Sequence, residues 1–273
     1  MSASILVVTF AVLVGLAVGS FLNVVAHRVP AGESLLRPSQ CPGCDTAIAW
    51  RHNVPVLGWL VLRGRCAVCR ARISPRYPLV EAATALAFGA GTVLWWHRLP
   101  HPGFPQAADW VLLLAFGYVV AAGIALTLID LDTRRLPTVI VLPSVAVVGA
   151  LFLLACLLGA PWENLARAGF GAVGLWAFYA LVRLVRPDGM GGGDVKLALL
   201  VGGALGWVGW GALVVGAFAA FLFGGLGGLT LMAARGSGRR STVPFGPWMV
   251  AGCWFGIALG QGLGAAYWRY AGL

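Results

Sequence analysis

Long uncharged runs alternate with short polar stretches along most of the chain. The first run, from Ile5 to Ala26, is long enough to cross a bilayer, which takes about 20 residues. It has neither a basic leading segment nor a small-residue cleavage pattern, so it is expected to be a retained helix and not a removable signal. Gly15, Gly19 and Ser20 give it a small-residue face suited to close helix packing. Asn23 is its odd polar residue and reads as a helix–helix hydrogen-bonding group. From Leu79 onward the apolar runs resume and predict helices near 79–97, 108–130, 138–158, 161–184, 194–208, 210–234 and 244–266. The pattern therefore predicts an all-α polytopic membrane protein of about eight transmembrane helices. One small polar insertion follows the first helix. The expected organisation is a first helix over 1–26, a polar block over 27–78 and a seven-helix membrane domain over 79–273.

Composition agrees, with 60% hydrophobic and only 10% charged residues, which excludes an ordinary soluble domain. The net charge of +10 would suit a nucleic-acid binder if the basic residues shared a surface. They fall instead in short connections, so no nucleic acid is expected and the partner implied is the lipid bilayer. With the N-terminus outside, the inside loops are 27–78, 131–137, 185–193 and 235–243. Their neighbourhoods hold sixteen of the 19 basic residues, leaving only Arg98, Arg167 and Arg269 elsewhere. By the positive-inside rule the polar block faces the cytoplasm. Trp50, Trp59, Trp95, Trp96, Trp110 and Trp248 lie near predicted span ends and read as interfacial anchors.

The polar block contains Cys41-Pro42-Gly43-Cys44 and Cys66-Ala67-Val68-Cys69, two pairs separated by 21 residues. That is zinc-ribbon spacing, in which two thiolate knuckles close a tetrahedral site. A block this small has little apolar area for a core, and a metal staple supplies what the core lacks. A closed four-cysteine site has no open coordination position, so the zinc is expected to be structural. A dithiol redox pair is the competing reading. Cys156 and Cys253 stand alone within apolar spans and read as ordinary buried packing.

Two acidic positions stand out against the apolar background. Gly189-Met190-Gly191-Gly192-Gly193-Asp194-Val195-Lys196 places a carboxylate at the end of a glycine cluster, where the backbone can turn sharply or be closely approached. Leu128-Ile129-Asp130-Leu131-Asp132 places another at the end of the third span, on the same predicted membrane face. Ionisable groups at the edge of a hydrocarbon slab are functional candidates by default. Two carboxylates at one depth can work as base and acid on a scissile carbonyl and a water molecule. Asp130 and Asp132 are about 200° apart around a helix, so only one can face Asp194, and the spacing does not choose between them. An ion- or proton-coupled transporter, with the carboxylates as ion ligands, is the alternative from another class. Glu81 either lines the site or serves the N-terminus of its helix. Lys196 either neutralises charge near Asp194 or snorkels to the interface. Pro244-Phe245-Gly246-Pro247 either shapes a substrate groove or marks a helix start.

Taken together, these pieces resemble the bacterial prepilin peptidases, membrane aspartyl proteases marked by a GxGD motif. The resemblance rests on Gly19 through Val25, the two cysteine pairs, Ile73 through Glu81, Asp130 through Pro143, Gly189 through Lys196, and Pro244 through Pro247, in the family's order. It puts the motif on Gly191, Gly192, Gly193 and Asp194, and selects Asp130, ahead of Leu136-Pro137, as the second catalytic aspartate. It implies cleavage of the leader of type IV prepilins or pseudopilins at the cytoplasmic face of the bacterial inner membrane. For members with the cysteine block, it also implies methylation of the new N-terminus with S-adenosylmethionine. Thr138 and Gly58 depart from the family pattern, which bears on substrate preference. Helix polarity, with Asp194 at an N-terminus and Asp130 at a C-terminus, suggests Asp194 as base and Asp130 as acid.

Overall fold

A computed structural model describes residues 2–99, 105–235 and 244–271. The chain divides into two compact units, Met1–Pro100 and His101–Leu273.

The first unit is built on α1 (Ser2–Ala31) and α3 (Arg76–Trp96), with the short α2 (Leu57–Val61) in the segment between them. α1 and α3 run antiparallel and nearly touch, because their facing positions are small. A Cβ added at Gly19 would lie 2.8 Å from the Glu81 Cα, and one at Gly15 would lie 2.8 Å from the Ala85 Cα. Asn23 does what its isolation in an apolar run suggested, donating its side-chain amide to the Tyr77 carbonyl at 3.2 Å. α1 continues past the apolar run to Ala31. There the buried guanidinium of Arg28 gathers the chain leaving the helix by donating to the carbonyls of Ser34, Leu35, Arg37 and Pro38.

The second unit contains α4 (Ala107–Thr133), α5 (Thr138–Leu157), α6 (Trp162–Val185), α7 (Gly192–Val208), α8 (Trp210–Arg235) and α9 (Gly246–Phe255). α9 continues through a π-turn, Gly256–Gly260, into α10 (Gln261–Tyr270) as one apolar rod. Seven helices of the described chain are long and apolar enough to cross a membrane. The expected eighth, α7, has 17 residues and is the shortest of the set. α7 is enclosed by α5, α6, α8 and α9, so it meets protein where the other helices meet lipid. Its tightest neighbour is α6, where Gly171, Gly202 and Gly206 bring the two backbones together, and a Cβ at Gly171 would lie 2.5 Å from the Gly202 carbonyl oxygen. The last carbonyls of α7 are satisfied by side chains. Arg167 donates to Gly206 and Trp207 at 2.7 and 2.8 Å, and Gln261 donates to Val208 at 2.9 Å. Thus α7, the helix that begins with Asp194, is fixed along its length and at its far end.

Among the described residues there are no strands beyond two isolated bridges in the cysteine block. Cys156 and Cys253 are buried in the second unit, as their apolar setting suggested. The loop expected over 235–243 has Arg239 and Arg240 outside the described residues.

Candidate active site and metal centre

α4 runs three residues beyond its expected end and carries both Asp130 and Asp132 in its last turn. Asp130 is 4% exposed, whereas Asp132, on the other face, is exposed. Burial thus separates the two residues that spacing left equivalent. Arg134 then takes a left-handed conformation, φ +54°, and its N–H donates to the Asp130 carbonyl at 2.8 Å. This ends α4 sharply and sends Leu136-Pro137 back across the site. A left-handed conformation is uncommon for a residue with a side chain, and such strain gathers at functional sites.

Asp194 is the third residue of α7 and 8% exposed. Its Oδ2 accepts the Gly191 N–H at 3.1 Å. The Asp130 Oδ2 accepts the N–H of Gly246, which opens α9, at 3.0 Å. The two carboxylates act on one another electrostatically. Each takes one N–H from the N-terminal end of a helix, so helix polarity does not divide base from acid as the sequence suggested.

The glycines of this site serve close approach. Gly191 is extended, with φ −69° and ψ 148°, a conformation open to any residue. A Cβ at Gly193, however, would lie 2.6 Å from the Leu136 Cβ. One at Gly192 would overlap the Arg183 guanidinium, and one at Gly246 would lie 2.8 Å from the Asp130 Oδ2 and 3.4 Å from the Leu136 Cδ2. Leu136 therefore packs both against the glycine loop that leads to Asp194 and against the Gly246 corner that donates to Asp130. Tyr179, 1% exposed on α6, lies within electrostatic reach of Asp194. It packs in an aromatic cluster with Phe221 and Phe245, at ring distances of 5.4 and 6.1 Å. Phe245 precedes Gly246, so this stretch of the Pro244–Pro247 segment does border the dyad. Tyr179 and Arg183 were not singled out by sequence, and Leu136 was named only as a marker of Asp130 and not as a wall of the site. A tyrosine within an apolar run was the one available signal.

Two other candidates point elsewhere. The Lys196 ammonium donates to the Thr138 hydroxyl at 2.8 Å. The Glu81 Oε2 accepts the Val56 N–H at 2.7 Å. Because α3 starts at Arg76, Glu81 lies beyond its first turn, and the helix-terminus reading does not apply.

In the first unit, Cys41, Cys44, Cys66 and Cys69 place their sulfurs within 4.8 Å of one another. The Cys41 and Cys69 sulfurs are 3.6 Å apart, close to the edge of about 3.8 Å of a tetrahedron with zinc–sulfur bonds of about 2.3 Å. The two knuckles are built alike. Gly43 and Val68 donate backbone N–H groups to Cys41 and Cys66 at 3.4 and 3.5 Å. The residues after each pair, Asp45 and Arg70, both have positive φ, +52° and +60°. The Thr46 hydroxyl and backbone N–H pull the Cys44 thiol down to about 6, and the N–H groups of Cys69 and Val68 pull Cys66 down. At Cys69 the Ala71 N–H pulls the same way. It is outweighed by Cys44, burial, Cys41 and Cys66, which push the thiol up to about 11. Hydrogen bonding among the gathered sulfurs thus favours the protonated form of Cys69, and a divalent cation would take the place of that shared proton. The donor set and spacing fit a zinc ion.

Residues 13–97 match the bacterial peptidase A24 N-terminal domain, and residues 117–229 match the type IV leader peptidase family. Among curated proteins, the chain is 34% identical to a prepilin leader peptidase/N-methyltransferase of Stutzerimonas stutzeri, over 96% of this chain and 94% of that protein. It is 35% identical to one of Pseudomonas aeruginosa, over 96% and 93%, and 38% identical to one of Klebsiella pneumoniae, over 75% and 86%. No solved structure matches.

Proposed function

The chain belongs to the type IV leader peptidase family, and from that premise we propose that Asp130 and Asp194 are the pair with which it hydrolyses prepilin leaders. The enzyme is a multi-pass protein of the inner membrane that cleaves type IV prepilins or pseudopilins and methylates the product. The observation that carries the site assignment is the convergence of two buried aspartates from the ends of α4 and α7, each held by a single backbone N–H. One carboxylate takes a proton from water, whose oxygen attacks the scissile carbonyl. The other, protonated, polarises that carbonyl. Collapse of the tetrahedral adduct breaks the carbon–nitrogen bond as the leaving amine receives a proton.

The glycine loop and the Phe245-Gly246 corner fix the two side chains and line the approach for an extended substrate. The substrate's leader unwinds at the membrane edge, where its backbone can be hydrated. The arginine-rich connections support a cytoplasmic position for this edge. The four cysteines hold a structural zinc that organises residues 27–78, the region assigned to the second activity. S-adenosylmethionine would supply the methyl group for the new terminal amine, leaving as S-adenosylhomocysteine while the amine gives up a proton. A transporter reading would place ion ligands at the midplane, and a dithiol reading would separate the two pairs. The carboxylates at helix ends and the four gathered sulfurs support neither.

Mass spectrometry of a type IV prepilin co-expressed with this chain tests the assignment. The expected result is leader removal by wild type and intact substrate with Asp130→Ala or Asp194→Ala. Cleavage by both variants at the wild-type rate would overturn it.

A further inference from the structure

The cysteine block bears an apolar surface that neither the dyad nor the metal centre uses. In α2 the side chains of Leu57, Leu60 and Val61 are 59, 54 and 77% exposed. Trp50 and Val54 beside them are exposed as well. Water-facing apolar residues this concentrated mark an interaction surface.

Its depth identifies the partner. The contacts of Asn23 with Tyr77, Gly19 with Glu81 and Gly15 with Ala85 set the α1–α3 register. They bring Glu81 level with Gly19, seven residues before Ala26, where the uncharged run of α1 ends. At 1.5 Å per residue that is about 10 Å inside the apolar slab. Val56, which precedes α2, donates its N–H to the Glu81 carboxylate at 2.7 Å. The start of α2 is therefore held within one side-chain length of that depth. Val56 has φ +60°, so the chain bends sharply to descend there. Non-helical backbone at such depth needs a protein partner for its polar groups, and Glu81 is that partner. Above, the block carries eight arginines against two acids, Glu33 and Asp45. Arg51, Arg63 and Arg65 flank the segment and are exposed. An apolar tip beneath a basic rim complements an anionic leaflet.

We propose that residues 54–61 form a re-entrant segment that inserts Leu57, Leu60 and Val61 among the acyl chains of the cytoplasmic leaflet, with Arg51 and Arg63 at its anionic headgroups. The proposal rests on the multi-pass reading and on the orientation given above. It places the metal-bearing block against the membrane from which the substrate emerges.

The test uses the full-length chain in vesicles of phosphatidylethanolamine and phosphatidylglycerol. A photoreactive diazirine amino acid replaces Leu60 or Val61, with Leu86 on the exposed face of α3 as the lipid reference and Leu36 in the polar loop as the aqueous reference. Mass spectrometry then reads the adducts. Phospholipid adducts at positions 60 and 61 should match Leu86 and exceed Leu36 several-fold. Glu81→Gln, which keeps an acceptor for Val56, should preserve them, and Glu81→Leu should lower them. Lipid adducts at Leu86 with only the Leu36 level at 60 and 61 would overturn the proposal alone. Adducts there to a second copy of the chain or to a co-expressed prepilin would also overturn it. Failure at Leu86 would overturn the membrane-span reading itself.

Discussion

At the scale of residues, catalysis reduces to whether two carboxylates can share one water and one carbonyl. Positioned acid–base groups contribute about 10²- to 10⁴-fold each. Asp130→Asn and Asp194→Asn are each expected to lower leader cleavage by about that factor. The double variant should be little worse than either single one, because the two act as a unit. Steady-state assay of a purified prepilin checks this, and additive losses would contradict it. Gly246→Ala probes the geometry more finely. Its new methyl group would stand 2.8 Å from the Asp130 Oδ2, so it should depress kcat while leaving KM near wild type. Gly225→Ala, with open space around it, should behave as wild type. The four cysteines and the acidic positions stood out in the sequence, because charge and thiol spacing contrast with an apolar background. Charge left Asp130 and Asp132 equivalent, however, and only the family resemblance chose between them. Leu136, Tyr179 and the Gly246 N–H did not stand out. Each is an ordinary residue or backbone group whose role arises only when separate helices and loops converge.

At the scale of elements, α7 is the piece on which the site depends. Its place in the sequence was readable from its apolar run, and its enclosure was not, since periodicity does not distinguish lipid from protein as the apolar neighbour. The expectation of eight spans and the seven long helices of the structure differ at this helix. Its seam with α6 leaves no room for side chains. Gly202→Val is expected to destabilise the enzyme by about 1–3 kcal/mol through overpacking and to reduce cleavage by shifting Asp194. A thermal melt in detergent reads the first effect, and an unchanged melt would refute the seam. Gly203→Ala, with its nearest neighbour 3.7 Å from the added Cβ, is the matched control. The cysteine knuckles are the other element whose local geometry is specific. The purified chain should carry one zinc per molecule by elemental analysis. Cys41→Ser or exhaustive chelation should remove it and make residues 27–78 more susceptible to protease, because metal binding and folding are coupled in so small a block.

At the scale of the whole molecule, the carboxylate pair and the four-cysteine cluster lie in different units. Asp130 and Asp194 accept N–H groups from Gly246 and Gly191, and Leu136 and Tyr179 stand beside them, all within His101–Leu273. The four sulfurs lie within Met1–Pro100. The two family matches fall on the same division, at 13–97 and 117–229. The sequence-based boundary at residue 79 instead joined α3 to the catalytic helices, since hydropathy marks where spans lie and not which spans pack together. α3 packs on α1 through glycine positions, so the cysteine block is held between two helices of its own unit. Loss of the metal should then leave the dyad intact. A Cys41→Ser, Cys69→Ser double variant is expected to cleave a prepilin leader at nearly the wild-type rate and to release a product lacking one methyl group. Intact-mass measurement of the mature pilin distinguishes the outcomes. A product both cleaved and methylated would show that the second activity does not need the metal centre. Loss of cleavage together with zinc would show that the dyad requires the metal-bearing unit.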